Sequence, residues 1–200
     1  MPMTLRALID GAGSRHSLFG TTRTTVDTTS IERRRRRFVN VLLRTDGGAT
    51  VRFYDDLLKN RTVLINFMYT QCTERCPLTT AKLREVQGLL GDRLAREVFI
   101  YSITVDPVHD RPAVLQHYAR MARAKTGWRF LTGSSNDIRQ LRANFGDDPN
   151  LPFERSNHLN LIVYGVESME RWGAFPVWTE PATMLRYLSW IEPARARLRC

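Results

Sequence analysis

The chain has 200 residues, of which 42% are hydrophobic, and a net charge of +10 from 30 Lys and Arg against 20 Asp and Glu. That length and apolar content suit one domain with a substantial core, plus a tail. No run approaches the roughly 20 apolar residues of a membrane-spanning helix, and nothing aromatic interleaves Arg33–Arg37 to make a nucleic-acid stacking platform.

In chain order, residues 1–37 come first. They hold eight arginines against Asp10, Asp27 and Glu32, and so supply half of the net charge. Their Gly, Ser and Thr clusters carry little periodicity and predict a mostly disordered basic tail, dispensable for the fold and able to touch an anionic membrane surface. Arg33–Arg37 followed by Phe38–Leu43 superficially resembles a twin-arginine export signal, but the apolar part stops at Arg44 and is too short. Residues 38–200 form the predicted domain. Phe38–Arg44 and Thr50–Tyr54 read as strands joined across Asp46-Gly47-Gly48 in a hairpin. Thr62–Tyr69 is a continuous apolar, β-branched run, the mark of a buried central strand.

A helix over Pro77–Leu90 follows, with Leu78, Leu83, Val86, Leu89 and Leu90 near helical spacing and Pro77 in the first turn. Val98–Val105 is a second apolar strand, broken by Asp106-Pro107. Asp110 is placed to cap a helix over Arg111–Lys125, with Pro112 in its first turn. Trp128–Leu131 reads as a strand, Ser135–Phe145 as a helix stopping at Gly146, and His158–Tyr164 and Arg171–Phe175 as an antiparallel pair. Pro181–Ile191 is a final helix. Strand–helix–strand–helix, then a hairpin and a helix, predicts an α/β, thioredoxin-like fold: a central mixed sheet flanked by helices, with an added N-terminal hairpin.

Only three cysteines occur, and two of them, Cys72 and Cys76, fall where the central strand gives way to a helix. At positions i and i+4 of a helix two side chains share one face. A helix N-terminus favours thiolate over thiol, and soft thiolates select Cu(I), zinc or iron–sulfur iron. The same pair can instead form a disulfide, with Cα atoms about 6 Å apart. Candidate third ligands are His16, His109, His117 and His158. In a thioredoxin-like fold the loop entering the late hairpin lies against the cysteine loop, which places His158 best. Met68 and Met169 are soft donors in principle, with Met68 better read as packing. The terminal Cys200 is read as an exposed thiol without a role.

Several stretches together resemble the SCO/SenC family of copper-binding cytochrome oxidase assembly proteins. They are Asp46-Gly47-Gly48, Tyr69-Thr70-Gln71-Cys72-Thr73-Glu74-Arg75-Cys76-Pro77, Val105-Asp106-Pro107-Val108-His109-Asp110-Arg111-Pro112, Leu131-Thr132-Gly133, Phe145-Gly146 and His158 before an apolar strand. They stand in family order across residues 38–191. The resemblance implies copper, as Cu(I) or Cu(II), held by Cys72, Cys76 and His158. It also implies delivery to a cuproprotein such as the oxidase subunit carrying the dinuclear copper site, in the periplasm or the mitochondrial intermembrane space. On this reading the protein is a monomeric metallochaperone with no nucleic-acid partner. Asp106 and Asp110 either start the loop and cap the helix, or tune the site and dock the target. A thiol–disulfide oxidoreductase, with Cys72 attacking and Cys76 resolving, is the alternative. A thiol peroxidase, faintly echoed by Thr70-x-Cys72, is a third reading.

Overall fold

The computed structural model describes residues 28–73, 75–146 and 160–192. After a helix α1 (Thr28–Arg37) come β1 (Leu42–Thr45), β2 (Thr50–Arg52), a π-helical segment (Phe53–Leu58), β3 (Thr62–Met68), α2 (Arg75–Leu90), β4 (Val98–Thr104), α3 (Pro112–Met121), β5 (Trp128–Gly133), α4 (Ser135–Asn144), β6 (Leu161–Val166), β7 (Arg171–Pro176) and α5 (Pro181–Ile191). The strands form one seven-stranded sheet in the order β2-β1-β5-β4-β3-β6-β7. β3, β4 and β5 are parallel, whereas β6, β7 and the β1–β2 hairpin run antiparallel to their neighbours. This is the thioredoxin-like sheet, with the expected hairpin added on the β5 edge.

β3 is apolar at nearly every position because both faces of the sheet are covered. Its alternate residues divide between two cores. Leu64 and Met68 join Leu83, Val86, Leu115, Phe130 and Met184 beneath α2, α3 and α5. Ile65 and Phe67 join Phe53, Leu57, Leu131, Ile138 and Leu141 under the π-helical segment and α4. Met68 is therefore packing, as its strand position implied.

The predicted first strands are shorter than the sequence suggests. Asn40 Oδ1 accepts from the Tyr54 and Asp55 amides at 3.0 and 3.2 Å, and Asp56 Oδ2 accepts from the Arg52 amide at 2.6 Å. These side-chain acceptors take amides that a ladder would need, so the chain coils at Phe53 instead of extending to Tyr54. α3 also stops early, at Met121. Buried Gln87 donates to the Arg123 carbonyl at 3.0 Å and accepts from the Lys125 amide at 2.7 Å, which pins a turn where Arg123 has φ +54°.

The basic segment needs correction. Thr28–Arg37 is a helix, not a disordered arm, and it is tied to the domain. Arg33 pairs with Glu170 at 2.8 Å, Arg34 with Glu167 at 3.1 Å and Arg35 with Asp55 at 3.4 Å. Read locally, the arginine run looks self-repelling. Its counter-charges come from distant parts of the chain. Residues 1–27 lie outside the described residues.

Candidate metal centre

β3 delivers the chain at Met68 to a loop, and α2 begins at Arg75. The Cys72 amide donates to the Tyr69 carbonyl at 3.2 Å, which curls the loop back. The Cys76 amide donates to Cys72 Sγ at 3.3 Å. The sulfur of Cys72 thus lies over the first turn of α2. Cys76 is 3% exposed and packs into the core beneath that helix, while Cys72 is half-buried. The two cysteines are not joined in a disulfide.

Asp110 fixes this loop from the neighbouring strand connection. Its carboxylate accepts from the Thr70 amide at 3.0 Å, from the Thr70 hydroxyl, and from Thr104 Oγ1 at 2.5 Å. The Asp110 amide in turn donates to the Asp106 carbonyl at 2.9 Å, and the Asp106 amide to Thr104 Oγ1 at 2.9 Å. The expected helix cap is therefore overturned. The residue at the N-cap of α3 is Arg111, and no side chain caps that end. Asp110 is drawn away because three donors in a buried pocket outweigh the single bond of a cap.

Burial pushes the Cys76 thiol up to about 12. The hydrogen bond with Cys72 and the negative charges of Cys72 and Asp110 push the same way, and the Tyr69 backbone only partly opposes them. This corrects the expectation that the helix start makes Cys76 a ready thiolate. Desolvation wins over the helix dipole. A neighbour that the sequence reading missed is Tyr118. Its hydroxyl lies 3.0 Å from Thr80 Oγ1, and burial raises its phenol, with the charges of Cys76, Cys72 and Asp110 adding to the rise. Tyr118 lies three residues after the core residue Leu115, so helical spacing could have pointed to it.

A reactivity difference follows. Near neutral pH burial keeps Cys76 almost wholly protonated, and the thiolate is the nucleophile. Iodoacetamide should therefore label Cys72 at least about tenfold faster than Cys76 in the folded protein. Timed quenching and peptide mass spectrometry measure both rates, and equal rates would contradict this burial argument.

Among the described residues, no three His, Cys, Asp or Glu side chains converge to hold a metal ion. His109 is half-exposed and turned to Asp106, with Nδ1 2.8 Å from Oδ1. His117 is exposed on α3. His16, His158 and Cys200 lie outside the described residues. The chain re-enters the sheet at residue 160, whose carbonyl accepts from the Val177 amide at 3.1 Å, and Ile162 pairs with Asn66 near the end of β3 that carries the cysteine loop. The strand predicted over His158–Tyr164 begins at Leu161.

A thioredoxin-like domain with one thiol on the loop after its central strand and a second in the first turn of the helix that follows defines a class: thiol-site proteins that can take soft metal ions or exchange disulfides. Within that class the chain belongs to the SCO1/SenC family, whose model matches residues 42–149. It is 30% identical over 120 residues to a SCO2-like protein of Rickettsia felis, across 55% of this chain and 57% of that protein. The chain spans about half the length of the curated relatives it matches. Its structure superposes on Bradyrhizobium japonicum ScoI, solved with copper bound, with a TM-score of 0.62 at 23% identity over 77% of this chain and 99% of that one. It also superposes on BsSco, described with a disulfide switch and as a member of the Sco family of cytochrome c oxidase assembly proteins, with a TM-score of 0.61 at 20% identity over 76% and 90%. Among the described residues, no helix is long and apolar enough to cross a membrane.

Proposed function

We propose that this protein is a copper metallochaperone that carries one copper ion on Cys72, Cys76 and His158 and passes it to a cuproprotein such as cytochrome c oxidase. The observation that carries this reading is the thiol pair itself, Cys72 on a loop anchored by Asp110 and Cys76 in the first turn of α2, with the Cys76 amide donating to Cys72 Sγ. Two sulfurs suit Cu(I), which accepts few and soft ligands. The negative charges of Cys72 and Asp110, which oppose ionisation of Cys76, favour a cation in place of its proton. Loading therefore displaces protons. Delivery is ligand exchange, in which incoming thiolates replace Cys72 and Cys76 one at a time. Copper bound to a related ScoI supports the reading.

Burial of one thiol and partial exposure of the other favour a second reading. In a thiol–disulfide oxidoreductase, Cys72 attacks and Cys76 resolves. The disulfide switch described for BsSco is consistent with that chemistry. His158→Ala separates the two. If the site holds copper, the variant keeps linear two-sulfur Cu(I) binding in large part and loses Cu(II), which demands nitrogen or oxygen donors, far more. Its Cys72–Cys76 disulfide should still form and be reduced by a dithiol. Anaerobic loading with each copper state, followed by metal analysis, reads the outcome. Normal binding of both states together with lost disulfide exchange would favour the oxidoreductase.

A further inference from the structure

On the face of the sheet that carries α3, the added hairpin extends past the helix and leaves a cleft of 490 Å³. Three polar side chains cross its floor in one row. Arg44 is paired with Thr50 on β2 and with Thr132 on β5, and directly opposed residues point to the same face of a sheet. Arg111 and Pro112 close one wall, where α3 begins, and Leu42, 54% exposed, supplies an apolar edge.

Two features of this cleft call for negative charge, and a third calls for a hydrogen-bonding group. First, neither Arg44 nor Arg111 has a carboxylate partner among the described residues; Asp110 faces Thr70 and Thr104, and Asp137 is taken by Ser134. Secondly, α3 is a ten-residue helix with no side-chain cap and no acid in its first turn, so its N-terminal partial charge is left for a ligand. Thirdly, Thr132 is 4% exposed, and its Oγ1 has no hydrogen-bond partner among the described residues. A buried hydroxyl without a partner costs stability, and in a cleft it marks a place where a bound group would supply the missing bond.

We propose that this cleft is a binding site for an oxyanion, a phosphate or carboxylate group on an apolar body, held by Arg44, Arg111, Thr132 Oγ1 and the first amides of α3. The guanidiniums supply charge-assisted, two-pronged contacts. The helix start supplies N–H donors. Leu42 and Pro112 meet the apolar body. The site lies beside the Asp106–Asp110 loop but uses neither cysteine, so it stands or falls independently of copper.

Phenyl phosphate and phenylacetate are suitable probes, titrated separately into the full chain in low-salt, phosphate-free buffer. Amide NMR shifts at Ala113, Val114 and Gly133 should move together and saturate. Tighter phenyl phosphate would assign a phosphoester ligand, and tighter phenylacetate a carboxylate. Arg44→Gln and Arg111→Gln should each weaken binding by about tenfold or more, as expected for a lost charge-assisted bond. Thr132→Val gives the sharpest reading, because its two effects run in opposite directions. Binding should weaken about fivefold, while the melting temperature should rise by about 2–4 °C as the unpartnered hydroxyl is removed. A fall in melting temperature with unchanged binding would make Thr132 merely structural and overturn its role. No saturable shift with either probe, or binding indifferent to both arginine variants, would overturn the site.

Discussion

Cys72→Ala will lose Cu(I) affinity by well over 100-fold, a bound set by the roughly 10–100-fold that even residues behind the ligands contribute at metal sites. The variant leaves at most one thiolate from the α2 pair, and one thiolate with an imidazole holds a soft ion poorly. Cys76→Ala should be equally damaging, although that thiol is 3% exposed and holds its proton up to about 12. Competition against a Cu(I) chelator, under anaerobic conditions, measures the loss. Circular dichroism distinguishes lost binding from lost structure, since Cys72 is only half-buried and its truncation opens little cavity. Full copper affinity in Cys72→Ala would remove the metal site from this loop.

The copper reading gains from the way the loop is held. A metal or disulfide site needs two sulfurs at a fixed separation, and separation is fixed by the backbone between them. Here the backbone leading into Cys72 is fastened at two points, and the Cys76 amide closes onto Cys72 Sγ. Tyr69 accepts the Cys72 amide, and Asp110 holds the residue just beyond Tyr69. Asp110 is itself clamped by Thr104 on the adjacent parallel strand. The two strand ends that a parallel pair must bring together, β3 and β4, thereby become the frame of the site.

Much of this was legible from residue order alone. The apolar run over Thr62–Tyr69 reads as a strand buried on both faces, and the Asp46-Gly47-Gly48 turn as a reversal of the chain, with Gly48 taking φ +84°. Given that strand and the following helix, the place of Cys72 and Cys76 followed. What escaped depends on partners far apart in sequence. Asp110 beside Pro112 has the local signature of a helix cap, and nothing nearby reveals that Thr70, 40 residues earlier, outbids the helix for it. The coil at Phe53–Leu58 depends on Asn40, and the docking of α1 depends on Glu167 and Glu170. Local propensity is blind to such contacts, because each one exists only after the sheet has formed.

The same blindness sets up the largest expected loss of stability. Glu167 is 1% exposed. Its Oε1 accepts from Tyr54 Oη at 2.6 Å and faces Arg34 Nε at 3.1 Å, and its Oε2 accepts from the Asn60 amide at 2.7 Å. Burial, followed by the hydrogen bond and charge of Glu167, raises the Tyr54 phenol to about 12, so it remains a donor at any physiological pH. The arginine is the only cation paired with this carboxylate among the described residues. Arg34→Ala leaves the buried charge uncompensated, which costs about 3–5 kcal/mol. In a protein of this size that lowers the melting temperature by roughly 10 °C. Deleting residues 1–37 should cost at least as much, and deleting residues 1–27 should cost far less. Adding Glu167→Gln to Arg34→Ala should recover part of the loss, because the amide keeps acceptor and shape without the stranded charge. Thermal melts of the four variants beside the intact chain decide the matter. If Arg34→Ala and the deletion of 1–37 both melt within a degree or two of the intact chain, α1 is an ornament on the domain and not a strap across it.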